Sequence, residues 1–545
     1  MEAIHRRGPH GVRTVQSGRV TIMASVLHMR GDDMVPQPVE LKMDGSSCTS
    51  SSSLPLPLPD SCWFCWNGEV YEMTRETNGV VTSQSLPLNE SDTTRMANAL
   101  YDALREPLKP NGNDDHNDDG NTNTSVAHKI ALVLGRIWNG EYAFCLCKDD
   151  RVYYGRDRLG RRSLLVSESE ESWVLSSVGT KAEGNDQGNA WTEVLPGRVF
   201  EYDPSTKTTT SVTIPLMEPP HPSENSIDDL HAASLRLEHL LFEATRHRLV
   251  NFQHHKSVGV LFSGGLDSVV LAAMAAKLLL SSPMGQTIEN DDGSKDDDKG
   301  SPIHQSPSLE LFNVAFGMGK SNDRQAALQS FEEMKTLFPT LDMRLVCVNV
   351  TEWDSVVAQD QQIQHLISPK SSVMDLNIGT ALWFASRGVP ASQSDCRILL
   401  LGMGADEQMG GYTRHRKAYR EGRLREELDM DIGRLWERNL GRDDRVVSDH
   451  GKEARFPFLD ANVVRFLSTL PLERICDFTL PPGEGDKRIL RLIAQRMGLQ
   501  TASGLVKRAI QFGSRIAHES DKRRFGSRRK AKGEHDIAEG EATST

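Results

Sequence analysis

Ser263-Gly264-Gly265-Leu266-Asp267-Ser268 joins residues 258–262, an apolar run of strand character, to residues 269–280, an apolar run of helical character. A buried parallel strand that runs through glycines into a helix start gathers backbone N–H groups at the positive end of the helix dipole, where a phosphate is stabilised. The glycines allow the main chain to approach an anion that any Cβ would hold off. Ser263 and Ser268 add hydroxyl donors. Asp267 adds a carboxylate, which repels phosphate unless Mg²⁺ lies between them. These residues predict a magnesium-nucleotide site at the carboxyl edge of a parallel sheet. The pattern G-x-x-x-x-G-K-[ST] is absent, which sets aside a P-loop kinase or GTPase. The alternative reading is a glycine-rich strand-to-helix turn with no ligand.

The rest of the chain changes character on either side of this junction. Up to about residue 215, short apolar alternations (20–29, 62–66, 142–147, 173–177) describe a β-rich layered domain. From residue 226 onward, long helical periods separate compact apolar runs at 258–262, 309–316, 343–350 and 398–402, which suit strands covered on both faces. The expected architecture is therefore α/β, with a doubly wound parallel sheet in the second part. Three polar stretches, 46–53, 111–125 and 289–300, bury too little apolar surface to fold alone and read as surface insertions. Residues 519–545 read as a disordered tail, with a nuclear address in its basic part as the alternative.

Composition narrows the function classes. At 545 residues the chain needs two or three domains. A formal charge of −12 supplies no positive field for collecting nucleic acid. No apolar run approaches the roughly 20 residues that cross a bilayer, and residues 1–13 are polar and basic without a secretory core. Eight cysteines in so long a chain form no disulfide framework, so a reducing, cytoplasmic setting is expected. Cys62-x-x-Cys65 and Cys145-x-Cys147 lie in strand-like runs, and strand geometry turns the first pair to opposite faces, against a zinc knuckle.

A second glycine-rich stretch, Gly402-Met403-Gly404-Ala405-Asp406-Glu407, follows the apolar run at 398–401 and offers Asp406 as another metal-facing carboxylate. Asp486-Lys487-Arg488 opens a helical period, where Lys487 can place a point charge on a leaving pyrophosphate. Each stretch alone is more often a solvated turn or helix start.

Taken in order, these stretches resemble the asparagine synthetases and their relatives, including the β-lactam synthetases. The resemblance is carried by S-G-G-L-D-S, by 312–316 with Asp323-Arg324, by 373–379, by Gly402 to Glu407 with Gly410-Gly411-Tyr412, by 455–460, by Asp486-Lys487 and by 507–512. It covers nearly the whole chain. It implies an N-type ATP pyrophosphatase domain at 225–518 of the adenine nucleotide α-hydrolase type, with Phe262, Ser263, Gly264, Gly265, Leu266, Asp267, Ser268, Val314, Leu401 and Gly402 on ATP. Asp267 and Asp406 would hold Mg²⁺, and Lys487 would stabilise adenylation. The implied reaction is amidation of aspartate through a β-aspartyl adenylate, in a homodimer. Arg445, Arg455 and Asp460 either shape the acceptor pocket or lock a helix onto the sheet.

Residues 1–215 resemble the family's class II glutamine amidotransferase domain, an Ntn-hydrolase-like αββα fold. Arg7-Gly8-Pro9, His28-Met29-Arg30, Gln37-Pro38, Trp66-Asn67-Gly68-Glu69, Asp92-Thr93 and 155–161 carry that likeness. It implies an oxyanion hole at Asn67 and Gly68, and Arg30, Glu69 and Asp92 on the glutamine α-amino acid end. Asn67-Gly68 is otherwise a hairpin turn. The family nucleophile is a cysteine made N-terminal by removal of the initiator Met. This chain begins Met1-Glu2-Ala3, so the expectation is a domain lacking its first strand, with ammonia replacing glutamine as nitrogen source; an internal start codon and a natural variant are the two explanations. None of Cys48, Cys62, Cys65, Cys145 or Cys147 carries a free α-amine. A second departure is Met403, where the synthetases have a Glu thought to handle the incoming ammonia. A thioether takes up no proton at neutral pH. The second reading is therefore a degenerate synthetase acting as an ATP-binding scaffold or partner-binding protein.

Overall fold

The alternating apolar residues of the first part pair into antiparallel sheets. In the computed structural model, which describes residues 2–30, 33–42, 61–77, 79–86, 90–105, 125–179, 190–220, 229–249, 257–281, 308–317, 321–389 and 394–523, these strands are β1 (Gly11–Ser17), β2 (Val20–Val26), β3 (Val39–Lys42), β4 (Ser61–Thr77), β5 (Val80–Ser85), β6 (Ile137–Lys148), β7 (Arg151–Arg156), β8 (Leu165–Glu168), β9 (Trp173–Ser176), β10 (Trp191–Glu193), β11 (Arg198–Asp203) and β12 (Thr208–Thr213). The main sheet runs β12-β11-β7-β6-β4-β3, with β5 on the far end of β4. One face packs against the Asp92–Arg105 and Val126–Gly135 helices through Phe64, Met96, Leu100, Ile130 and Leu146. The other face is covered by two small sheets, β1-β2 and β10-β8-β9. The insertions expected at 46–53 and 289–300, and all of 111–125 except Ser125, lie outside the described residues.

The compact apolar runs of the second part become β13 (Ser257–Leu261), β14 (Ser308–Phe316), β15 (Met343–Val350), β16 (Ile398–Leu400) and β17 (Glu453–Arg455). They form one parallel sheet of order β15-β14-β13-β16-β17. The chain winds outward from the central β13 in one direction and then in the other, which opens a crevice beyond the carboxyl ends of β13 and β16. Val258, Val260, Leu309 and Leu311 pack under the Leu230–Leu249, Leu266–Ser281 and Arg488–Arg496 helices. Val314, Phe316, Val348 and Val350 pack under the Trp353–Ile367 and Val373–Arg387 helices. The last helix, Ile516–Arg523, carries the ordered fold past the expected boundary at residue 519, because Ile516 is buried against the helix-covered sheet.

The two parts meet across a seam of buried charge. Arg248 Nε lies 2.8 Å from Glu141 Oε1, and its Nη1 lies 2.8 Å from Asp460 Oδ2. Arg445 Nη1 reaches Glu193 Oε1 at 2.9 Å, and Arg162 Nη2 reaches Glu453 Oε1 at 2.9 Å. Arg7 Nη2 pairs with Asp444 Oδ2 at 2.7 Å. Arg445, Arg455 and Asp460, whose role the sequence left open, all bridge the two parts and bury within this seam. Removing one partner of such a pair leaves an uncompensated charge in a dry interface, which costs about 3–5 kcal/mol. Arg248→Ala is therefore expected to lower unfolding stability by about that amount, measured by urea denaturation. A loss below about 1 kcal/mol, the range of a surface pair, would contradict it.

Candidate functional site

Two glycine loops leave the carboxyl ends of β13 and β16 and face each other across the crevice. In the first, Gly264 adopts φ +78°, and a Cβ there would fall 2.2 Å from the Ala327 backbone nitrogen. Only glycine permits that approach of loop to helix. Ser263 Oγ accepts from Gly265 N at 3.2 Å, and Ser268 Oγ donates to Gly265 O at 3.0 Å, which fixes the turn before the Leu266–Ser281 helix. In the second loop, a Cβ on Gly402 would lie 3.2 Å from Asp267 Cβ, so this glycine lets the loops touch.

Asp267, Asp406 and Lys487 converge between the loops. Lys487 Nζ donates to Asp267 Oδ1 and Oδ2 at 2.7 and 2.6 Å and lies 2.5 Å from Asp406 Oδ1. Lys507 Nζ pairs with Asp406 Oδ2. Burial alone would raise the Asp406 carboxyl, but Lys487 and Lys507 outweigh it and hold it below the usual carboxylate range. Lys487 is held in the left-handed region at φ +51°, with its N–H on Met409 O at 3.0 Å. Such backbone strain, of order 1–3 kcal/mol, persists where surrounding structure dictates it. The donor set suits a divalent cation: two carboxylates meet on one point, held there by the Lys487 ammonium group. Among the described residues no cluster of three or more His, Cys, Asp or Glu stands ready for a metal, so phosphate or water oxygens would complete the shell.

The cleft itself is narrow, about 60 Å³, and Ser263, Gly265, Leu266, Asp267 and Lys487 line it. Phe262, Val314 and Leu401 are buried in the sheet, and none of them lines this cleft. Phe262 presents its backbone instead, its oxygen accepting from Asn313 Nδ2 at 2.8 Å, while Leu401 N donates to Arg455 O at 2.9 Å. The cleft adds Asp323, Asp486, Arg491, Lys507 and Arg508, to which sequence reasoning gave no role. Burial pushes the Asp323 carboxyl up to about 7, against Lys507 and Arg508, which pull it down. Met403 is half-buried and packs against the cluster of Leu399, Leu435, Phe456 and Leu459.

The glutamine-side residues gather elsewhere. Arg30, Asn67, Gly68, Glu69 and Asp92 all line a cavity of about 710 Å³ above the main sheet. Arg30 Nη1 donates to Asp92 Oδ1 at 2.9 Å and to Val70 O at 3.0 Å, and lies 3.8 Å from Glu69 Oε2. Burial raises the Asp92 carboxyl, Glu69 raises it further, and Arg30 pulls it back. Asn67-Gly68 is no hairpin turn: it sits within β4, paired with Ala143 and Tyr142 of β6, and a Cβ on Gly68 would lie 2.0 Å from Glu141 O. Cys65 and Cys145 face each other across β4 and β6 in the same cavity wall, and burial pushes the Cys65 thiol up to about 12 and the Cys145 thiol well above its usual range. Cys62 lies on the opposite, helix-covered face, as strand geometry requires, and the described cysteines are all free.

The synthetase-half stretches except 507–512 fall within residues 236–429 and 419–503, which match the family model described as asparagine synthase. The mouse asparagine synthetase domain-containing protein 1 is 30% identical over 94% of this chain and 93% of its own length. The chain belongs to the asparagine synthetase domain-containing family. A Saccharomyces cerevisiae asparagine synthetase domain-containing protein is 32% identical over 69% of this chain and 71% of its own. A putative glutamine-hydrolysing asparagine synthetase of Methanocaldococcus jannaschii is 38% identical over 40% of this chain and 33% of its own. Among the described residues no helix is long and apolar enough to cross a membrane.

Asp323 gives the cleft a pH signature. An unfolded-state Asp titrates near 4, and the folded pKa stands above it at about 7. The associated stability is complete below the unfolded value and is lost as pH rises through about 7. Raising pH from 5 to about 8 should therefore lower the melting temperature of the wild type more than that of Asp323→Asn. Parallel curves for the two proteins would show that Asp323 titrates normally.

Proposed function

We propose that the chain catalyses ATP-dependent amidation of a carboxylate, aspartate by family membership, through an aminoacyl adenylate. The carrying observation is the convergence of Asp267 and Asp406 on Lys487 Nζ, each with a carboxylate oxygen within 2.7 Å of it, between two glycine loops at the switch point of a parallel sheet. Ser263, Gly264 and Gly265 present a short loop and a helix N-terminus to phosphate. When bound, Mg²⁺ supplies charge neutralisation and a template between the nucleotide phosphates and the two carboxylates. Asp267 and Asp406 would hold it, both close to their shared ammonium group at Lys487. Lys487, only 2% exposed, keeps a fixed point charge facing the scissile side of the nucleotide.

Met403 favours a second reading, an ATP-responsive scaffold. Its thioether packs in an apolar cluster and takes up no proton, so deprotonation of an incoming ammonium ion has no base at that position. One missing general base slows a step by roughly 10²- to 10⁴-fold, which impairs turnover without removing nucleotide binding.

Pyrophosphate release from MgATP, aspartate and ammonium separates the readings. The wild type should exceed Asp267→Ala by roughly 10²-fold or more. Background release from both proteins would overturn the enzymatic reading. In the same assay Met403→Glu should raise asparagine formation over wild type, by roughly tenfold or more if base catalysis limits the step. An unchanged rate would place the limiting step elsewhere.

A further inference from the structure

Glu407 and Tyr412 stand behind the second glycine loop and hold each other rather than the cleft. Glu407 Oε2 accepts from Gly404 N at 3.0 Å, and its Oε1 accepts from the Tyr412 hydroxyl. Both oxygens of a buried carboxylate are thus engaged on the loop that carries Asp406. Neither Glu407 nor Tyr412 lines the cleft. The loop needs such a tie. Gly404 turns through φ +94°, in the left-handed region, and leads into the Ala405–Met409 helix, whose five residues are too few to be stable alone. The far side is closed by Gly411 N, which donates to Asp406 O at 2.9 Å. A Cβ on Gly411 would lie 1.9 Å from Asp406 Oδ1, so the Gly410-Gly411-Tyr412 turn bears directly on the Asp406 carboxylate.

Tyr412 is itself fixed from the other side. Its backbone N donates to His415 Nδ1 at 3.3 Å, which leaves the imidazole proton on Nε2, 2.9 Å from Asp431 Oδ2. Arg414 Nη2 lies 2.5 Å from both oxygens of the same Asp431. The Arg414 guanidinium sits 4.4 Å over the Tyr412 ring, and the His415 ring packs against it at 5.2 Å. The phenol is therefore gripped by two side chains that share one buried anchor on the Leu424–Leu435 helix. The order runs from Asp431 through Tyr412 to Glu407 and then to the backbone of the Asp406 loop.

We propose that Tyr412 is a positioning residue for the divalent cation: through Glu407 it holds the loop that aims Asp406, and so sets metal affinity while touching neither metal nor nucleotide. This deepens the ATP reading and rests on it. Lys487 and Lys507 act on the Asp406 carboxylate itself, whereas the Glu407 tie acts on the backbone from which that carboxylate projects. Groups that orient a metal ligand from behind affect affinity almost as strongly as the ligands do. Without the phenol hydroxyl, a buried oxygen of Glu407 loses its donor, and the loop can relax only by moving Gly404 or Asp406.

Calorimetric titration of the full chain with ATP at stepped Mg²⁺ concentrations, and with AMP in a chelator, tests this. Tyr412→Phe should raise the Mg²⁺ concentration for half-maximal ATP binding by roughly 10- to 100-fold, the usual effect of losing an outer partner of a metal ligand. AMP affinity should stay within about twofold of wild type. Glu407→Gln should show a similar rise, because one amide oxygen cannot accept from both donors, and the double variant should add no further loss. If Tyr412→Phe does not fold, Glu407→Gln is read the same way. A Mg²⁺ requirement within about twofold of wild type overturns the assignment of Tyr412. So does an equal weakening of AMP and MgATP, which would show a residue that only supports the fold. A wild type that fails to bind MgATP overturns the ATP reading and this inference with it.

Discussion

Arg455 joins the two halves of the molecule and ties together both candidate sites. It is buried, with its Nη2 3.0 Å from Glu69 Oε1 and its Nε 2.7 Å from Glu453 Oε1. Its backbone oxygen accepts from Leu401 N, the residue before the second glycine loop. One residue therefore touches the glutamine-side cavity with its side chain and the nucleotide-side loop with its main chain. Burying a guanidinium is costly unless its partners are fixed. Here burial pulls the Arg455 pKa down, and Glu453 and Glu69 more than restore it.

That constraint explains why so many arginines lie inside. Arg156, Arg162, Arg248, Arg445 and Arg455 are among the largest fully buried side chains. Each guanidinium has a carboxylate across or along the seam, and planar, fork-shaped donors suit such sites better than flexible ammonium groups. The lysines are placed differently. Lys487 and Lys507 pair with Asp267 and Asp406 at the crevice, where a compact ammonium group can face two carboxylates at once.

The sheets were legible because their signal is local. The apolar runs at 343–350 and 309–316 became β15 and β14 with boundaries within a residue; β14 is buried along its whole length, while β15, at the sheet edge, still buries Met343, Val348 and Val350. The first glycine loop was legible from its strand-glycine-helix order, although the contact that demands Gly264, 2.2 Å from the Ala327 nitrogen, is distant in sequence. Three things were not. Asn67-Gly68 has the local chemistry of a turn, yet tertiary pairing with β6 keeps it extended. Arg445, Arg455 and Asp460 could be read as pocket or lock, because only the partner half shows Glu193, Glu69 and Asn139 opposite them. Lys507 was marked only as the start of the family-like stretch 507–512 and given no role, because nothing local in that irregular stretch shows that it reaches back to Asp406.

The glutamine-side cavity has its own charge logic. Arg30 and Arg455 face Glu69 and Asp92, so the four groups balance only if both carboxylates ionise. Burial and Glu69 oppose that for Asp92, which holds its proton more tightly than a free side chain. An ammonium group placed between Glu69 and Asp92 would reverse the balance, favouring the ionised carboxylate and drawing Glu69 away from Arg455. The guanidinium keeps Glu453 and the Arg248 carbonyl, and the Arg455 backbone oxygen keeps the Leu401 N–H. Arg455 lies on β17 and pairs with Leu400 of β16, the strand that leads into the second glycine loop, so packed backbone with little slack connects this cavity wall to the nucleotide-side loop.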